Sequence, residues 1–151
     1  MFCGAHAAFA QEVVYVVRHA ERADQSADSP LSAAGTARAR KLAEMLKDAG
    51  ITHVYTTDRK RTIDTAAPLA AAIHVGAQQL PAAETLALAA RLAALGPHDR
   101  ALVVGHSNTV PDLIRALHSN TPVTISDEEY DNLFIVVPQK NAPPTLLRLK
   151  Y

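Results

Sequence analysis

Short apolar runs that break off at polar loops predict three strands. Val13–Val17 consists of valines and one tyrosine, and Ala101–Val104 is a second uninterrupted apolar run. Neither run alternates with polar residues, which is typical of strands buried on both faces and indicates a sheet covered by helices. A third strand is predicted at Ile51–Thr56.

Apolar residues at helical spacing predict four helices among these strands. The first ends before Gly50, and Pro111 fits the first turn of the last, as these residue types favour. Pro68 falls near the middle of the second helix, where proline is unfavourable. The four predicted helices are Ser32–Asp48, Arg59–Ile73, Glu84–Leu95 and Pro111–His118.

The C-terminal region differs from the rest, because two apolar runs follow one another without a helix between them. Leu133–Val137 and Thr145–Leu149 predict a hairpin, with residues 138–144 as the connection. Together with the alternating strands and helices, this predicts an α/β fold: a three-layer sandwich with a mostly parallel sheet flanked by helices and an antiparallel element near the C-terminus. The length of 151 residues fits one domain, which we place at residues 11–151.

Composition limits the classes of partner. Lysine and arginine number 15, as do aspartate and glutamate, so no overall charge favours nucleic acid, and we predict no nucleic-acid partner. No apolar run approaches the roughly 18 residues of a membrane span, so we predict no stable membrane insertion. The oligomeric state stays open.

The N-terminus carries half of a targeting pattern. Residues 1–10 are small and apolar, and Ala8-Phe9-Ala10 has the form of a signal-peptidase site, but a basic start is missing. We interpret residues 1–10 as the remnant of a signal peptide that begins upstream, which predicts a periplasmic or secreted protein. Without such a signal the protein would be cytoplasmic.

Two histidines occupy equivalent positions just beyond predicted buried strands. His19 follows Val13–Val17 and Arg18, and His106 follows Ala101–Val104 and Gly105. In open α/β sheets, ligands bind outside the carboxyl ends of the strands, so both side chains are expected in one pocket. The other five histidines lack this context, and we interpret them as surface or structural residues.

Several cations are predicted near the same edge. Arg18 and Arg22 flank His19, and residues 59–61 add three cations at a predicted helix start. Cations oppose the helix dipole there, and a bound anion would offset this. Arginine binds phosphate oxygens through paired hydrogen bonds, so a phosphate site is indicated. The alternative for residues 59–61 is a solvated helix start.

Four segments, in this order, resemble the motifs of the histidine phosphatase (phosphoglycerate-mutase-like) superfamily, and most closely its small bacterial phosphohistidine-phosphatase-like members. A lone arginine-histidine pair would be weak evidence, but four segments in the family's order, each at the expected strand-to-loop position, are strong together, and the resemblance extends over nearly the whole chain. The four segments are Val16–Arg22, Pro30–Gly35, Tyr55–Ala66 and Val103–Thr109.

The resemblance implies a metal-independent phosphomonoesterase without a cofactor. His19 would be the nucleophile, Arg18 and Arg61 would bind the phosphoryl group, and His106 would donate to its oxygens. A phosphate ester or phosphoramidate would be hydrolysed through a phosphohistidine on His19, on a small phosphorylated substrate or a phosphoprotein. Alternatives are a non-catalytic phospholigand-binding module of the same fold and a phosphomutase.

Three further residues are candidate substrate ligands. Arg22 lies close to the nucleophile in sequence, and Ser107 and Asn108 follow His106. Serine and asparagine also favour helix N-caps, so capping is the alternative for the latter two.

The proton donor for the leaving group is the open part of the site. It requires a carboxylic acid near the pocket. Glu84 is the candidate, because it lies between the cationic segment Tyr55–Ala66 and the histidine segment Val103–Thr109. Glu21 and Asp28 are competitors. A first-turn helix residue is the alternative for Glu84. We interpret the acidic run Asp127–Asp131 as a solvated helix start or turn, with repulsion or selection of substrates as its alternative.

Overall fold

The computed structural model describes residues 12–151. The predicted signal-peptide remnant and the predicted domain start at residue 11 lie outside the described residues. Six strands form one sheet with the order β3-β2-β4-β1-β5-β6. The strands are β1 Val13–Arg18, β2 His53–Thr56, β3 Ala77–Gln79, β4 Arg100–Gly105, β5 Asn132–Gln139 and β6 Ala142–Lys150.

Each of the four predicted helices is present; the first three are shorter than predicted, and the last begins and ends two residues earlier. Ser32 caps the first by accepting a hydrogen bond from the Gly35 N–H at 3.1 Å. The second continues through Pro68, and the last begins two residues before Pro111, which lies in its first turn. The helices are α1 Ala33–Leu46, α2 Lys60–Ile73, α3 Thr85–Ala93 and α4 Thr109–Ala116. None of the described helices is long and apolar enough to cross a membrane.

The pairing confirms the predicted fold class. β1 pairs with β4, and β2 with β4 and β3, all in parallel, whereas β5 pairs antiparallel with β1 and β6. The predicted connection at 138–144 is too long, because β5 and β6 extend to Gln139 and from Ala142. Pro138 lies at a register irregularity of the ladder, and Pro143 and Pro144 lie on an edge strand, the two places where a sheet accepts proline.

The core lies on both faces of the sheet, as the uninterrupted apolar strands predicted. One cluster joins the sheet to α3 and α4 around Phe134 and Ile114. The other joins it to α1 and α2 around Leu42 and Leu69. Because both faces are covered, polar side chains that follow the strands emerge at the edge where the parallel strands end.

Candidate active site

The register between β1 and β4 places the two histidines side by side. Arg18 is opposite Gly105, and the His19 N–H donates to the Gly105 carbonyl at 2.8 Å. The imidazole rings of His19 and His106 lie 5.3 Å apart between centroids, at an angle of 64°. Two residues that are 87 positions apart (106 − 19) therefore form one site.

An open cleft of about 550 Å³ lies over these histidines. Its lining comes from the loops that follow β1, β2, β3 and β4, and from the segment between α4 and β5. The structure brings together in this cleft all the predicted site residues except Glu84: Arg18, His19, Arg22, Arg61, His106, Ser107 and Asn108.

The hydrogen bonding of His19 defines which nitrogen can react. Its Nδ1 lies 2.8 Å from the Ala20 carbonyl oxygen, which can only accept, so Nδ1 carries the proton. Burial lowers the pKa of His19 to about 3, and although the bond to the Ala20 carbonyl opposes this shift, nearby cations add to it. At neutral pH the ring is uncharged and Nε2 has a free lone pair.

The segment around His19 is held by the second motif. The Ala20 N–H donates to Thr65 Oγ1 at 2.9 Å, and that hydroxyl donates to the Arg61 carbonyl at 2.7 Å. Thr65 is fully buried. This link ties the loop that carries the nucleophile to the helix that carries a phosphate-binding arginine.

His106 is oriented by threonines. Its Nε2 lies 3.0 Å from Thr57 Oγ1, which in turn lies 2.9 Å from Thr62 Oγ1, and its backbone N–H donates to Thr109 Oγ1 at 2.9 Å. Burial lowers the pKa of His106 to about 4, and the charges of Arg61 and Arg59 lower it further.

Arg18 and Arg61 both line the cleft. Arg61 Nη1 donates to the Ala27 carbonyl at 3.0 Å, and Arg18 Nη1 is held by carbonyls of the 126–129 segment. The Nε of each arginine is buried and has no hydrogen-bond partner among the described residues. Buried donors are nearly always paired in native proteins, so two arginines that line one cleft and each keep an unpaired N–H are consistent with an anion site there.

Two of the candidate proton donors are engaged elsewhere. Glu21 forms an ion pair with Arg38 at 2.7 Å; burial alone would raise the pKa of Glu21, but the hydrogen bonds from Arg38 outweigh it and the net shift is downward. Asp28 accepts from the Lys60 N–H at 2.8 Å, at the start of α2. A lowered pKa makes Glu21 a poor acid.

Glu84 is exposed and immediately precedes α3. It lines a neighbouring hollow together with Thr57, whereas Ala82 and Ala83 line the cationic cleft itself. Its role as proton donor stays a prediction.

Sequence reasoning missed several residues around the cleft. Arg59 lines it, although residues 59–61 allowed either an anion site or a solvated helix start. The Tyr130 ring packs against Arg18, with its centroid 4.1 Å from the guanidinium carbon. The centroids of the Tyr130 and His19 rings lie 6.1 Å apart. Asp127 also lines the cleft. The acidic run pointed to this segment, but no local pattern placed it beside His19.

The capping alternative for Asn108 is not supported, because its side chain makes no capping hydrogen bond although it occupies the N-cap of α4. Asn108 and Ser107 instead line the cleft.

The chain was compared with known protein families. Residues 14–86 match the model of the histidine phosphatase superfamily, branch 1. Over that segment, just under half of the chain, the sequence is that of the histidine phosphatase superfamily. The sequence resemblance is thereby confirmed, and members of the superfamily are phosphatases or mutases.

Curated relatives match this chain over a limited segment. It is 44% identical over 66 residues to "Probable phosphoglycerate mutase GpmB" of Proteus mirabilis (strain HI4320), covering 39% of this chain and 31% of the relative. A protein of the same name from Enterobacter sp. (strain 638) is 43% identical over 60 residues, covering 35% and 28%. The match thus spans less than a third of the length of these relatives.

Solved structures of low sequence identity share the fold over almost the whole chain. The protein histidine phosphatase SixA complexed with tungstate has a TM-score of 0.76 at 22% identity, covering 91% of this chain and 96% of that one. A mycobacterial glucosyl-3-phosphoglycerate phosphatase has a TM-score of 0.72 at 14% identity, covering 92% and 97%.

Proposed function

We propose that this protein is a phosphomonoesterase that turns over through a phosphohistidine on His19. One observation carries the proposal: a neutral His19 with a free Nε2 lies in a cleft where Arg18 and Arg61 each have a buried, unpartnered Nε. A nucleophile and two arginines in one cleft support attack on a phosphoryl group whose oxygens the arginines would bind.

In the proposed first step, Nε2 of His19 attacks phosphorus while the bond to the leaving oxygen or nitrogen breaks. In the second step, water attacks phospho-His19, the P–Nε2 bond breaks, and its electron pair returns to the ring. Arg18, Arg61 and His106 would stabilise the charge on the phosphoryl oxygens in both transition states. Arg22, Ser107 and Asn108 would contact the remainder of the substrate.

A phosphate ester or phosphoramidate on a protein or a small molecule is the proposed substrate. The name of SixA, a protein histidine phosphatase, supports a phosphoprotein, and that of glucosyl-3-phosphoglycerate phosphatase supports a small phosphorylated compound. The cleft is open, and its wall at Ala82 and Ala83 has only methyl side chains. Neither substrate size would be excluded by such a wall.

The decisive experiment is turnover of an aryl phosphate by the full chain and by His19→Ala, with His98→Ala as control because His98 is an exposed histidine. The proposal predicts loss of phosphate release only in His19→Ala. Mass spectrometry at neutral pH should find the phosphoryl group on His19. Turnover that survives His19→Ala would contradict this mechanism.

A phosphomutase is the second candidate, because the curated relatives carry that name. A mutase would transfer the phosphoryl group of phospho-His19 back to a substrate hydroxyl instead of to water. Isotope exchange between two hydroxyl positions of a phosphorylated substrate, faster than phosphate release, would favour the mutase. Tight tungstate binding without either reaction would favour a non-catalytic binding module.

A further inference from the structure

The segment 126–130, which we call the acidic loop, is anchored directly to the phosphate-binding machinery. Arg18 Nη1 donates to three carbonyl oxygens of this loop, those of Ser126, Asp127 and Glu129, at 2.9, 3.0 and 3.0 Å. The guanidinium also lies over the Tyr130 ring at 4.1 Å. A charged donor shared by several carbonyls fixes the backbone of the loop beside the nucleophile.

This anchoring places one carboxyl group at the cleft. Among residues 12–151, Asp127 is the one acidic residue that lines the cleft containing His19, Arg18 and His106. Its side chain is exposed, and its backbone carbonyl is the atom held by Arg18. An exposed carboxyl group on a residue that lines the cleft is available to a molecule bound there.

The acidic loop is also held by contacts of its own residue Glu129. The Ser126 N–H donates to a carboxylate oxygen of Glu129 at 2.9 Å, and Glu129 pairs with Arg148 at 3.2 Å. Glu129 is thus used in holding the loop against β6. Asp127 differs from it, because no ion pair in the described residues holds its carboxylate.

We propose that the Asp127 carboxylate accepts the proton of the water that hydrolyses phospho-His19; this inference rests on the proposed function. The water oxygen bonds to phosphorus as the P–Nε2 bond breaks. The electron pair of that bond returns to Nε2, one water proton passes to Asp127, and inorganic phosphate leaves. Asp127 then releases the proton to solvent, so the cycle closes without another reactant.

The direction of attack supports this step. An in-line displacement brings water to phosphorus from the side opposite Nε2, which is the side from which the leaving group has departed. His19 is 4% exposed and Asp127 is exposed, and both line the cleft, so water that enters from solvent would meet phospho-His19 on the side where Asp127 can reach it. A carboxylate oxygen can accept a proton from the attacking water, which is the role assigned to Asp127.

The test separates the two chemical steps. Asp127→Asn is compared with Glu128→Gln, which removes the same charge one position away, from an exposed residue that does not line the cleft. Rapid-quench experiments with an aryl phosphate measure the rate of phosphorylation, the steady-state rate and the fraction of chain phosphorylated on His19. Asp127→Asn should phosphorylate at the unsubstituted rate but release phosphate about 100-fold more slowly, so that phospho-His19 accumulates.

Each other outcome has a definite meaning. If Asp127→Asn behaves like Glu128→Gln, or if it slows phosphorylation rather than hydrolysis, the assignment of Asp127 is wrong while the proposed function stands. If the unsubstituted chain never carries phosphate on His19, the proposed function is wrong, and this inference fails with it. Phosphorylation of Asp127→Asn at the normal rate also shows that the variant has folded with an intact site.

Discussion

At the scale of single residues, burial determines the chemical form of the two histidines. His19 and His106 are 4% and 8% exposed. Water stabilises an imidazolium better than the protein interior does, and the adjacent arginines repel a further positive charge, so both rings stay neutral. A neutral ring is the nucleophilic form, so burial favours the proposed reaction. The same burial has a cost in stability that depends on pH.

The free energy of unfolding should fall as pH is lowered from about 7 towards 4. In the unfolded chain a histidine titrates near 6.5, whereas the folded pKa values are about 3 for His19 and about 4 for His106. In this window the unfolded state binds protons that the folded state does not bind. Each histidine should therefore remove up to about 1.4 kcal/mol of stability per pH unit.

Urea unfolding at pH 7, 6 and 5 measures this slope. His19→Asn should reduce this slope by the contribution of one buried histidine, because asparagine does not titrate. His98→Asn, at an exposed position, serves as the control. Equal slopes for the two variants would show that His19 is not the source of the pH dependence.

Glu84 gives a second prediction at this scale. If it donates a proton to the leaving group, Glu84→Gln should slow alkyl phosphates much more than aryl phosphates, because a poor leaving group depends more on protonation. Steady-state kcat on both substrate types is the measurement, with Glu128→Gln as a control at another exposed glutamate. Equal losses on the two substrates would remove Glu84 from the acid role.

At the scale of elements, α1 positions the loop that follows the nucleophile. Gly35, in the first turn of α1, lies against the Glu21 backbone, and the Ser32 N–H donates to the Glu21 carbonyl at 2.9 Å. Glu21 is in turn held by Arg38 of the same helix. The helix and the loop behind His19 therefore fit together through backbone contact, which leaves no room for a side chain.

Gly35→Ala should destabilise the protein by about 1 to 3 kcal/mol, because the new Cβ would lie 3.0 Å from the Glu21 nitrogen and closer still to its carbonyl oxygen. Gly76→Ala is the matched control, since nothing lies within 4 Å of a Cβ there. Urea unfolding of the two variants measures the difference. Similar free energies of unfolding would mean that the helix and loop separate easily.

The predictability of the elements follows from their burial. β1 and β4 are apolar along their whole buried length and were predicted, whereas β3 consists of three exposed residues and leaves no periodic signal. His19 and His106 were placed in one pocket because strand ends are readable in sequence. Asp127 and Tyr130 were not, because their position depends on Arg18 holding the acidic loop across the sheet edge. Such a contact, over 100 residues apart in sequence, has no local pattern.

At the scale of the whole molecule, the strand order makes the site a junction of distant segments. β1 lies between β4 and β5, and β4 lies between β1 and β2, so the loops after β1, β2 and β4 meet the acidic loop before β5. An anion that contacts several of these segments would connect parts of the chain that otherwise separate on unfolding. Ligand binding should then appear as stability of the whole domain.

Tungstate, the tetrahedral anion present in the SixA structure, should therefore raise the Tm of this protein. At about 100 times its Kd, the expected stabilisation is about 2.7 kcal/mol. For a domain of this size that corresponds to a Tm increase of roughly 5 to 10 °C.

Arg61→Gln should lose most of this increase, because Arg61 lines the cleft and has an unpartnered buried Nε. Arg40→Gln is the control, because it removes an equal charge from an exposed position of α1. Thermal unfolding of the three proteins over a range of tungstate concentrations gives the measurement. The same increase in both variants would mean that tungstate binds outside the cleft, and the arrangement of cations around His19 would then need another explanation.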